Sequence, residues 1–274
     1  MFLKAIKLSL FFALFLSFTS CSDYQKVLNN SDTNLKYKAA EEYYKNGEYR
    51  KANRLFEQIV PLYRGKPQAQ RVIFFYANTF FQIKDYNLAA YQFESFVKSY
   101  PKSDRLQEAY YMAAKSYYML SPRYSLDQQD TYKAIDKLQI FLDNYPNSEF
   151  SEDANTLIAE LQVKLEKKFF EISKKYYTIR DYKGAMNSFD NFISDFPGTQ
   201  FKEEALYYKF LSNYELAINS IFTLKKSRLK DTKEIGNTIL RYFPETLYIK
   251  DKNKKFKNID KEITLYDQLI TNTK

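Results

Sequence analysis

The chain of 274 residues contains 26 Tyr and 24 Phe, but no His, no Trp and a single Cys. The lack of His excludes Ser-His-Asp and Cys-His catalytic couples, His-ligated metals and haem, and imidazole acid–base chemistry near neutral pH. One cysteine can form neither an internal disulfide nor a multi-thiolate metal site. The five glycines form none of the phosphate-binding glycine motifs. We therefore expect a binding protein with no cofactor, no metal, no catalytic residue and no small-molecule substrate.

The first twenty residues have the pattern of a secretory signal peptide. Lys4 and Lys7 precede an apolar stretch over residues 8–18 that only two serines interrupt. A signal peptide carries an apolar core of about 7–15 residues, whereas a membrane-spanning helix needs about 20. We predict that residues 1–20 are a signal peptide that exports the chain.

The only cysteine stands directly after this segment. Cys21 follows the small residues Thr19 and Ser20, and the sequence resembles a bacterial lipobox, although Phe18 replaces the usual Leu. The resemblance implies that Cys21 is acylated and becomes the first residue of the mature protein, since more than one acyl chain gives stable anchoring. We predict a lipidated N-terminus and tether over residues 21–31. The alternative is plain secretion with a free thiol.

The remaining chain is punctuated by a motif of an aromatic residue, Pro, any residue, and Ser or Thr. The aromatic residue ends a helix, Pro prevents the helix from continuing, and the hydroxyl can cap the next helix. The motif occurs four times, at Tyr100–Ser103, Tyr145–Ser148, Phe196–Thr199 and Phe243–Thr246. Regular spacing of such helix ends indicates an internal repeat.

Each repeat contains two helices whose small residues predict close packing. In the second helix an Ala stands at helical spacing from two further apolar residues, and in the first helix a small residue lies twelve positions earlier. The small residues of the first helices are Ala40, Ala77, Ala114 and Ser173, and those of the second helices are Ala52, Ala89, Ala134 and Ala185. Ala114 fits this register if residues 121–129 form a loop insertion.

This pattern resembles the tetratricopeptide repeat, and it covers about five repeats over residues 32–247. Spacings of 37, 45, 51 and 47 residues between equivalent positions exceed the family's usual length of about 34. The fifth repeat is degenerate because Thr232 and Gly236 occupy the Ala and Phe positions. We predict an all-α, tetratricopeptide-like solenoid of lengthened repeats, followed by a basic helix or tail over residues 248–274.

Aromatic residues flank each small residue of the first helices, three positions before it and four after it. Positions seven apart lie on one helical face, and in the tetratricopeptide family this helix lines the concave surface. We predict that two aromatic rows form a groove for an extended or amphipathic peptide, bound with micromolar affinity. The alternative is that the rings are core. The groove candidates are Tyr37, Tyr44, Phe74, Phe81, Tyr111 and Tyr118, and Phe170 and Tyr177 extend the rows.

The positive charge is concentrated near the C-terminus. The net charge is +9, and residues 222–261 contain twelve Lys or Arg against five Asp or Glu. This segment is a solvated helix, a docking surface for an acidic protein patch, or a contact with anionic lipid. Nucleic acid is not expected as a partner because the chain is exported. The partner-docking candidates are Lys225, Lys226, Arg228 and Lys230.

The export signal, lipobox-like cysteine and lengthened repeats together resemble the BamD family of lipoproteins of the outer-membrane β-barrel assembly machinery. The resemblance implies an anchor in the inner leaflet of the outer membrane, with the protein on the periplasmic side. It also implies an N-terminal groove that receives the aromatic C-terminal signal of unfolded barrel proteins, and C-terminal repeats that dock the barrel-forming BamA subunit. The alternatives are another envelope repeat lipoprotein, acting in cell-wall synthesis or polysaccharide export, and an enzyme with an unrecognised carboxylate site.

Overall fold

The computed structural model describes residues 23–272, and every regular element in this range is an α-helix. This finding confirms the predicted all-α fold built from helix pairs. A helical segment over residues 23–28 comes first. It is followed by α1 Thr33–Lys45, α2 Tyr49–Tyr63, α3 Ala69–Gln82, α4 Tyr86–Ser99, α5 Leu106–Leu120, α6 Gln129–Asn144, α7 Ser151–Thr178, α8 Tyr182–Asp195, α9 Lys202–Ile218, α10 Phe222–Tyr242 and α11 Ile249–Asn272.

The chain divides into two compact units. The first unit extends to Pro122 and includes Asp127–Leu161, and the second comprises Arg123–Leu126 and the chain from Gln162 onward. Within each unit, consecutive helices pack against one another. Each helix therefore buries its apolar face against neighbours in sequence, as expected of a repeat protein.

Small residues allow the two helices of a pair to approach closely. Ala40 of α1 and Ala52 of α2 are fully buried in one cluster, and Ala77 of α3 and Ala89 of α4 are fully buried in the next. In the fourth pair, Ser173 of α7 is buried and shares a hydrogen bond of 2.8 Å between its hydroxyl and that of Ser188. The predicted pairing of small residues is thus present in the first unit, and in the second unit Ser173 contacts Ser188, whereas the predicted partner was Ala185.

The turns inside the pairs use left-handed backbone and side-chain caps. Gly47, Lys84 and Arg180 have φ angles of 76°, 66° and 64°. The following Asp85 and Asp181 accept hydrogen bonds at their carboxylates from the first turns of α4 and α8. A left-handed residue reverses the chain, and the Asp satisfies a backbone N–H that has no partner inside the helix.

The four aromatic-Pro motifs form one recurring connection between pairs. In each, the Ser or Thr hydroxyl accepts from the backbone N–H two residues later, as Thr199 does from Phe201 at 3.2 Å. The next helix begins three residues after the hydroxyl residue. The hydroxyl therefore caps the turn that precedes the helix, and it does not occupy the N-cap position that the sequence suggested.

Two features account for the repeat spacings of 45 and 51 residues. The connection between α5 and α6 spans residues 121–128, which confirms the predicted loop insertion. Helix α7 is 28 residues long and continues from the first unit into the second. Its first half packs on the third pair, and its second half serves as the first helix of the fourth pair.

The degenerate fifth pair is completed by the C-terminal helix. Gly236 of α10 is buried, and a Cβ atom built there would lie 2.5 Å from the ring of Phe256 in α11. The ring that the repeat pattern lacks on α10 is therefore supplied by α11. Ile259 and Ile263 extend this contact along α11, so the basic C-terminal segment is a packed helix.

Candidate functional site

The structure buries two of the predicted groove residues. Phe74 is 1% exposed and contacts Phe93 and Phe96 of α4, with ring centroids 5.6 Å apart in both cases. Tyr111 is 3% exposed, whereas Tyr37 is half-buried. The prediction was therefore wrong for Phe74 and Tyr111, because their face of the first helix packs against other helices. Phe170, which extends the same row, is also buried.

Tyr111 is accommodated in the core because its hydroxyl has a partner. Its ring stacks on Phe150 at 4.9 Å, and its hydroxyl donates a hydrogen bond to Asp153 of α7. Lys115 contacts the same carboxylate at 3.0 Å, and burial lowers the pKa of Lys115. In the second unit, Tyr207 donates to Asp251 in the same way, at 2.7 Å. Each carboxylate partner lies more than forty residues away in sequence, so spacing along a single helix does not reveal it.

The other row remains half-buried at the surface of the first unit. Tyr44 donates to Asn78 Oδ1 at 2.9 Å, and Tyr118 donates to Glu160. Phe81 packs edge-on against Tyr86, with ring centroids 5.4 Å apart. The Tyr44 hydroxyl thus joins α1 to α3, and the Tyr118 hydroxyl joins α5 to α7. Part of each ring stays accessible to solvent.

The most aromatic part of this surface includes residues outside the two predicted rows. The ring of Phe75 lies 4.8 Å from that of Tyr44. The guanidinium groups of Arg71 and Arg105 each lie 5.6 Å from the Phe75 centroid, and Arg105 also lies 4.6 Å from the Phe74 ring. We call Tyr44, Arg71, Phe75 and Arg105 the aromatic–arginine surface. Sequence spacing does not indicate this pair of arginines, because Arg71 lies in α3 and Arg105 directly precedes α5.

The two arginines are partly neutralised and still exposed. Arg71 contacts Glu41 at 2.7 Å, and Arg105 contacts Glu108 at 3.0 Å. Their side chains are 56% and 46% exposed. Glu41 also accepts a hydrogen bond of 2.6 Å from the predicted groove residue Tyr37. Exposed guanidinium groups beside aromatic rings can bind a carboxylate while the rings bind an apolar side chain.

Burial determines the protonation of this surface. It raises the pKa of Tyr44 to about 12, with a smaller contribution from the charges of Tyr49 and Glu108. It also raises the pKa of Glu108, which the adjacent Arg105 lowers in part. Tyr44 therefore remains a neutral hydroxyl donor at neutral pH, beside two permanent positive charges.

Most of the predicted docking residues make contacts inside the second unit. Lys225 contacts Glu262 at 2.6 Å, and Lys226 forms an ion pair with Asp267. Arg228 donates a hydrogen bond of 2.7 Å to Ser220 Oγ. The two lysines therefore join α10 to α11, and Arg228 joins α10 to the turn that precedes it. Lys230 is the candidate that the structure leaves exposed. Four more exposed lysines lie along one face of α11, at Lys250, Lys254, Lys257 and Lys261.

The signal peptide and Cys21 lie outside residues 23–272. Within that range, no helix combines the length and apolar character needed to cross a membrane. The described residues also contain no group of Cys, Asp and Glu side chains placed to hold a metal ion.

Fold and surface define a helix-pair repeat protein with an aromatic, arginine-lined surface. The model of the family described as "YfiO: Outer membrane lipoprotein" matches residues 29–229 and 164–273, and the chain belongs to this family. Similar curated proteins include the "Outer membrane protein assembly factor BamD" of Rickettsia prowazekii, 26% identical over 160 residues, and that of Pasteurella multocida, 26% identical over 201 residues. The family that the sequence predicted is thereby confirmed.

The matched regions cover these relatives only in part. The Rickettsia match spans 58% of this chain and 64% of its relative, and the Pasteurella match spans 69% and 76%. The chain thus spans just under two thirds of the length of the Rickettsia protein. A solved structure described as the "TPR2AB-domain:pHSP90-complex of yeast Sti1" has a TM-score of 0.38 and 12% identity, covering 83% of this chain and 98% of that one.

Proposed function

We propose that this protein is a non-catalytic, lipid-anchored adaptor in the assembly of outer-membrane proteins. The observation that carries the proposal is membership of the outer-membrane lipoprotein family, together with relatives named as assembly factors. Cys21 is the acylated residue, and it holds the repeats at the periplasmic side of the outer membrane. The partners are unfolded barrel proteins and a BamA-like barrel subunit.

The substrate contact is assigned to the aromatic–arginine surface of the first unit. Phe75 and Tyr44 offer ring faces to an aromatic side chain, and the guanidinium groups of Arg71 and Arg105 are exposed beside them. A barrel protein that ends in an aromatic residue presents a ring and a terminal carboxylate together. Since a charged hydrogen bond between guanidinium and carboxylate adds to ring contact, this end is favoured over an internal segment. Tyr37, Phe81 and Tyr118 lie at half-buried positions that extend the contact.

A peptide titration tests this assignment. A fluorescent peptide that ends in Phe with a free carboxylate is expected to bind the mature protein with micromolar affinity, and amidation of its end to weaken binding about tenfold. Arg71→Gln removes an exposed guanidinium group. The variant is expected to bind the free-acid peptide more weakly than the wild type does, and to bind the amidated peptide equally well. Arg54→Gln, which alters an exposed arginine of α2, is the matched control. Equal binding of acid and amide by the wild type would refute the carboxylate role.

The barrel subunit is assigned to the second unit. Lys230 and the lysine face of α11 present positive charge that is not used to tie α10 to α11. Reversal of two of these charges, Lys254→Glu with Lys257→Glu, is expected to reduce recovery of the barrel subunit from mild-detergent extracts and to make recovery less sensitive to salt. Lys98→Glu with Lys102→Glu, on exposed residues of the first unit, is the control. Unchanged recovery and salt sensitivity would reject the α11 face as the docking site.

The anchor has a separate test. Cys21→Ala removes the only thiol, so the mature protein is expected to leave the membrane fraction of cells and to appear in the soluble periplasmic fraction. Retention of the variant with membranes, at the level of the wild type, would contradict lipidation at Cys21.

A further inference from the structure

The second half of α7 and the turn residue directly after it expose an apolar seam. Phe169, Ile172, Tyr176 and Ile179 are 38%, 43%, 38% and 63% exposed. Their spacing of three, four and three residues is that of the a and d positions of a coiled coil. An isolated exposed apolar residue is ordinary, but four in one seam are not.

In the second and third repeats the equivalent face is covered by the second helix of the preceding pair. The residue directly before the small residue of each first helix shows the contrast. Tyr76 packs in a cluster with Phe56 of α2, and Ala113 packs in a cluster with Phe93 of α4. Ile172 occupies this position in α7, and it is 43% exposed.

The two halves of α7 serve different pairs, and the seam begins in the second half, where the Phe169 ring contacts that of Phe196 with centroids 5.6 Å apart. Ile158 and Leu161, in its first half, pack with Leu138 and Phe141 of α6. Helix α6 is the second helix of the preceding pair, and the first half of α7 packs against its apolar face. The second half is the first helix of the next pair, so within the described residues its seam stands where a repeat array would place another helix.

The surface also has the local shape that a helix requires. Ile172, Lys175, Tyr176 and Ile179 surround an open cavity of about 210 Å³. Positions i, i+3, i+4 and i+7 form the hole into which one side chain of a facing helix inserts in knobs-into-holes packing. The cavity therefore fits an aliphatic side chain that projects from a helix.

The charges beside the seam restrict the partner. Lys175 lines this cavity, and Arg180, which directly follows Ile179, is also exposed. A second copy of the chain would place these positive charges against their equivalents, which is unfavourable. A partner helix with acidic residues beside its apolar seam would be attracted instead.

We propose that the seam Phe169, Ile172, Tyr176 and Ile179 binds an amphipathic helix of a partner protein, which has an aliphatic seam and acidic flanks. The partner helix takes the place of the missing second helix. This inference is independent of the proposed substrate surface and of the lysine face of α11, because it uses neither set of residues.

Binding of designed peptides to the mature full-length chain tests the inference. The probe is a helical peptide of four heptads with Leu and Ala at its seam and Glu at its flanks, and fluorescence anisotropy reports binding. The wild type is expected to bind it at least about tenfold more tightly than the same peptide with Lys flanks or with two central Pro residues. Equal binding of the three peptides overturns the proposal.

Three variants assign the binding to the seam. The double variant Ile172→Asp with Ile179→Asp is expected to bind the peptide with Glu flanks at least about tenfold more weakly than the wild type does. Lys175→Glu with Arg180→Glu should reverse the preference between Glu and Lys flanks. Leu62→Asp, at a residue of the first unit that is 55% exposed, is the matched control and should bind as the wild type does. If the double Asp variant loses helicity by circular dichroism, Ile179→Asp alone provides the comparison.

Other occupants give different results. Concentration-dependent dimerisation of the wild type that Ile179→Asp abolishes would make a second copy the occupant. Binding to vesicles with anionic lipid that the same change abolishes, without peptide binding, would make a membrane the occupant. Either outcome overturns the proposal.

Discussion

At the scale of single residues, burial of polar groups depends on partners from other repeats. Tyr111 lies in the core because Asp153 accepts from its hydroxyl, and Tyr207 uses Asp251 in the same way. A buried hydroxyl without such a partner would lower the free energy of unfolding. Gly236 shows the complementary case, since the absence of a side chain there makes room for the ring of Phe256.

The contact at Gly236 predicts a destabilising Gly→Ala change. The new Cβ would lie 2.5 Å from Phe256 Cε1 and 3.2 Å from Phe210 Cε2. Although Ala favours a helix by up to about 1 kcal/mol, displacement of packed rings should lower the free energy of unfolding by about 1–3 kcal/mol. Urea unfolding measures this change. Gly198→Ala, whose Cβ meets nothing within 4 Å, is the control, and an equal effect of both changes would show that ring contact is not the cause.

The surface tyrosines predict a stability change at alkaline pH. Burial, with Glu41 nearby, raises the pKa of Tyr37 to about 12, and the hydrogen bond to Glu160 raises that of Tyr118 to about 12. Because both values exceed the unfolded value of 10.0, the associated stability is fully present below pH 10 and is lost as pH rises through about 12. Ultraviolet titration of tyrosinate, with unfolding measured across this range, checks the prediction.

Glu160→Gln supplies the control for this titration. It removes the charge that acts on Tyr118, so the pKa of Tyr118 should fall towards its ordinary value while that of Tyr37 stays unchanged. A titration curve identical to that of the wild type would contradict the assigned cause.

At the scale of the helices, one connection is used four times with the same hydrogen bonds. Thr199 is 6% exposed, and its hydroxyl both accepts from the Phe201 N–H and donates to Glu166 at 2.9 Å. The connection therefore fixes the start of α9 and also contacts α7. Elements of this protein are held by caps as well as by apolar packing.

Substitutions at Thr199 separate the contribution of hydrogen bonding from that of apolar packing. Thr199→Ala removes both hydrogen bonds and should lower the free energy of unfolding by about 1–2 kcal/mol. Thr199→Ser retains the hydroxyl and should recover most of that loss in urea unfolding. If the Ser variant were as unstable as the Ala variant, the methyl group rather than the hydroxyl would be responsible.

At the scale of the whole molecule, stability is distributed between two units. Repeat proteins are stabilised by contacts between neighbours, so a local change weakens the repeats around it. Gly236→Ala should therefore increase amide hydrogen exchange in α9, α10 and α11, with little change in α1 to α4. Mass spectrometry of exchange by segment measures this pattern. A uniform increase along the chain would indicate that the units unfold as one.

Much of the architecture was predictable because it is local. Helix ends follow from Pro, and the pairing of helices follows from small residues at a fixed spacing. The insertion over residues 121–128 was also readable, since it interrupts an otherwise regular pattern. The candidate site was less predictable, because spacing assigns an aromatic residue to a helical face but does not reveal what covers that face.

The sequence by itself determined that this chain is an all-α repeat protein of the outer-membrane lipoprotein family, since each signal spans one helix or one turn. Only the tertiary structure decided that Phe74 and Tyr111 are core, that Lys225 and Lys226 pair with α11, and that Ile172 and Ile179 lie open. These outcomes depend on contacts between residues that are far apart in sequence. A local pattern assigns a residue to one face of a helix, and it does not record what packs on that face.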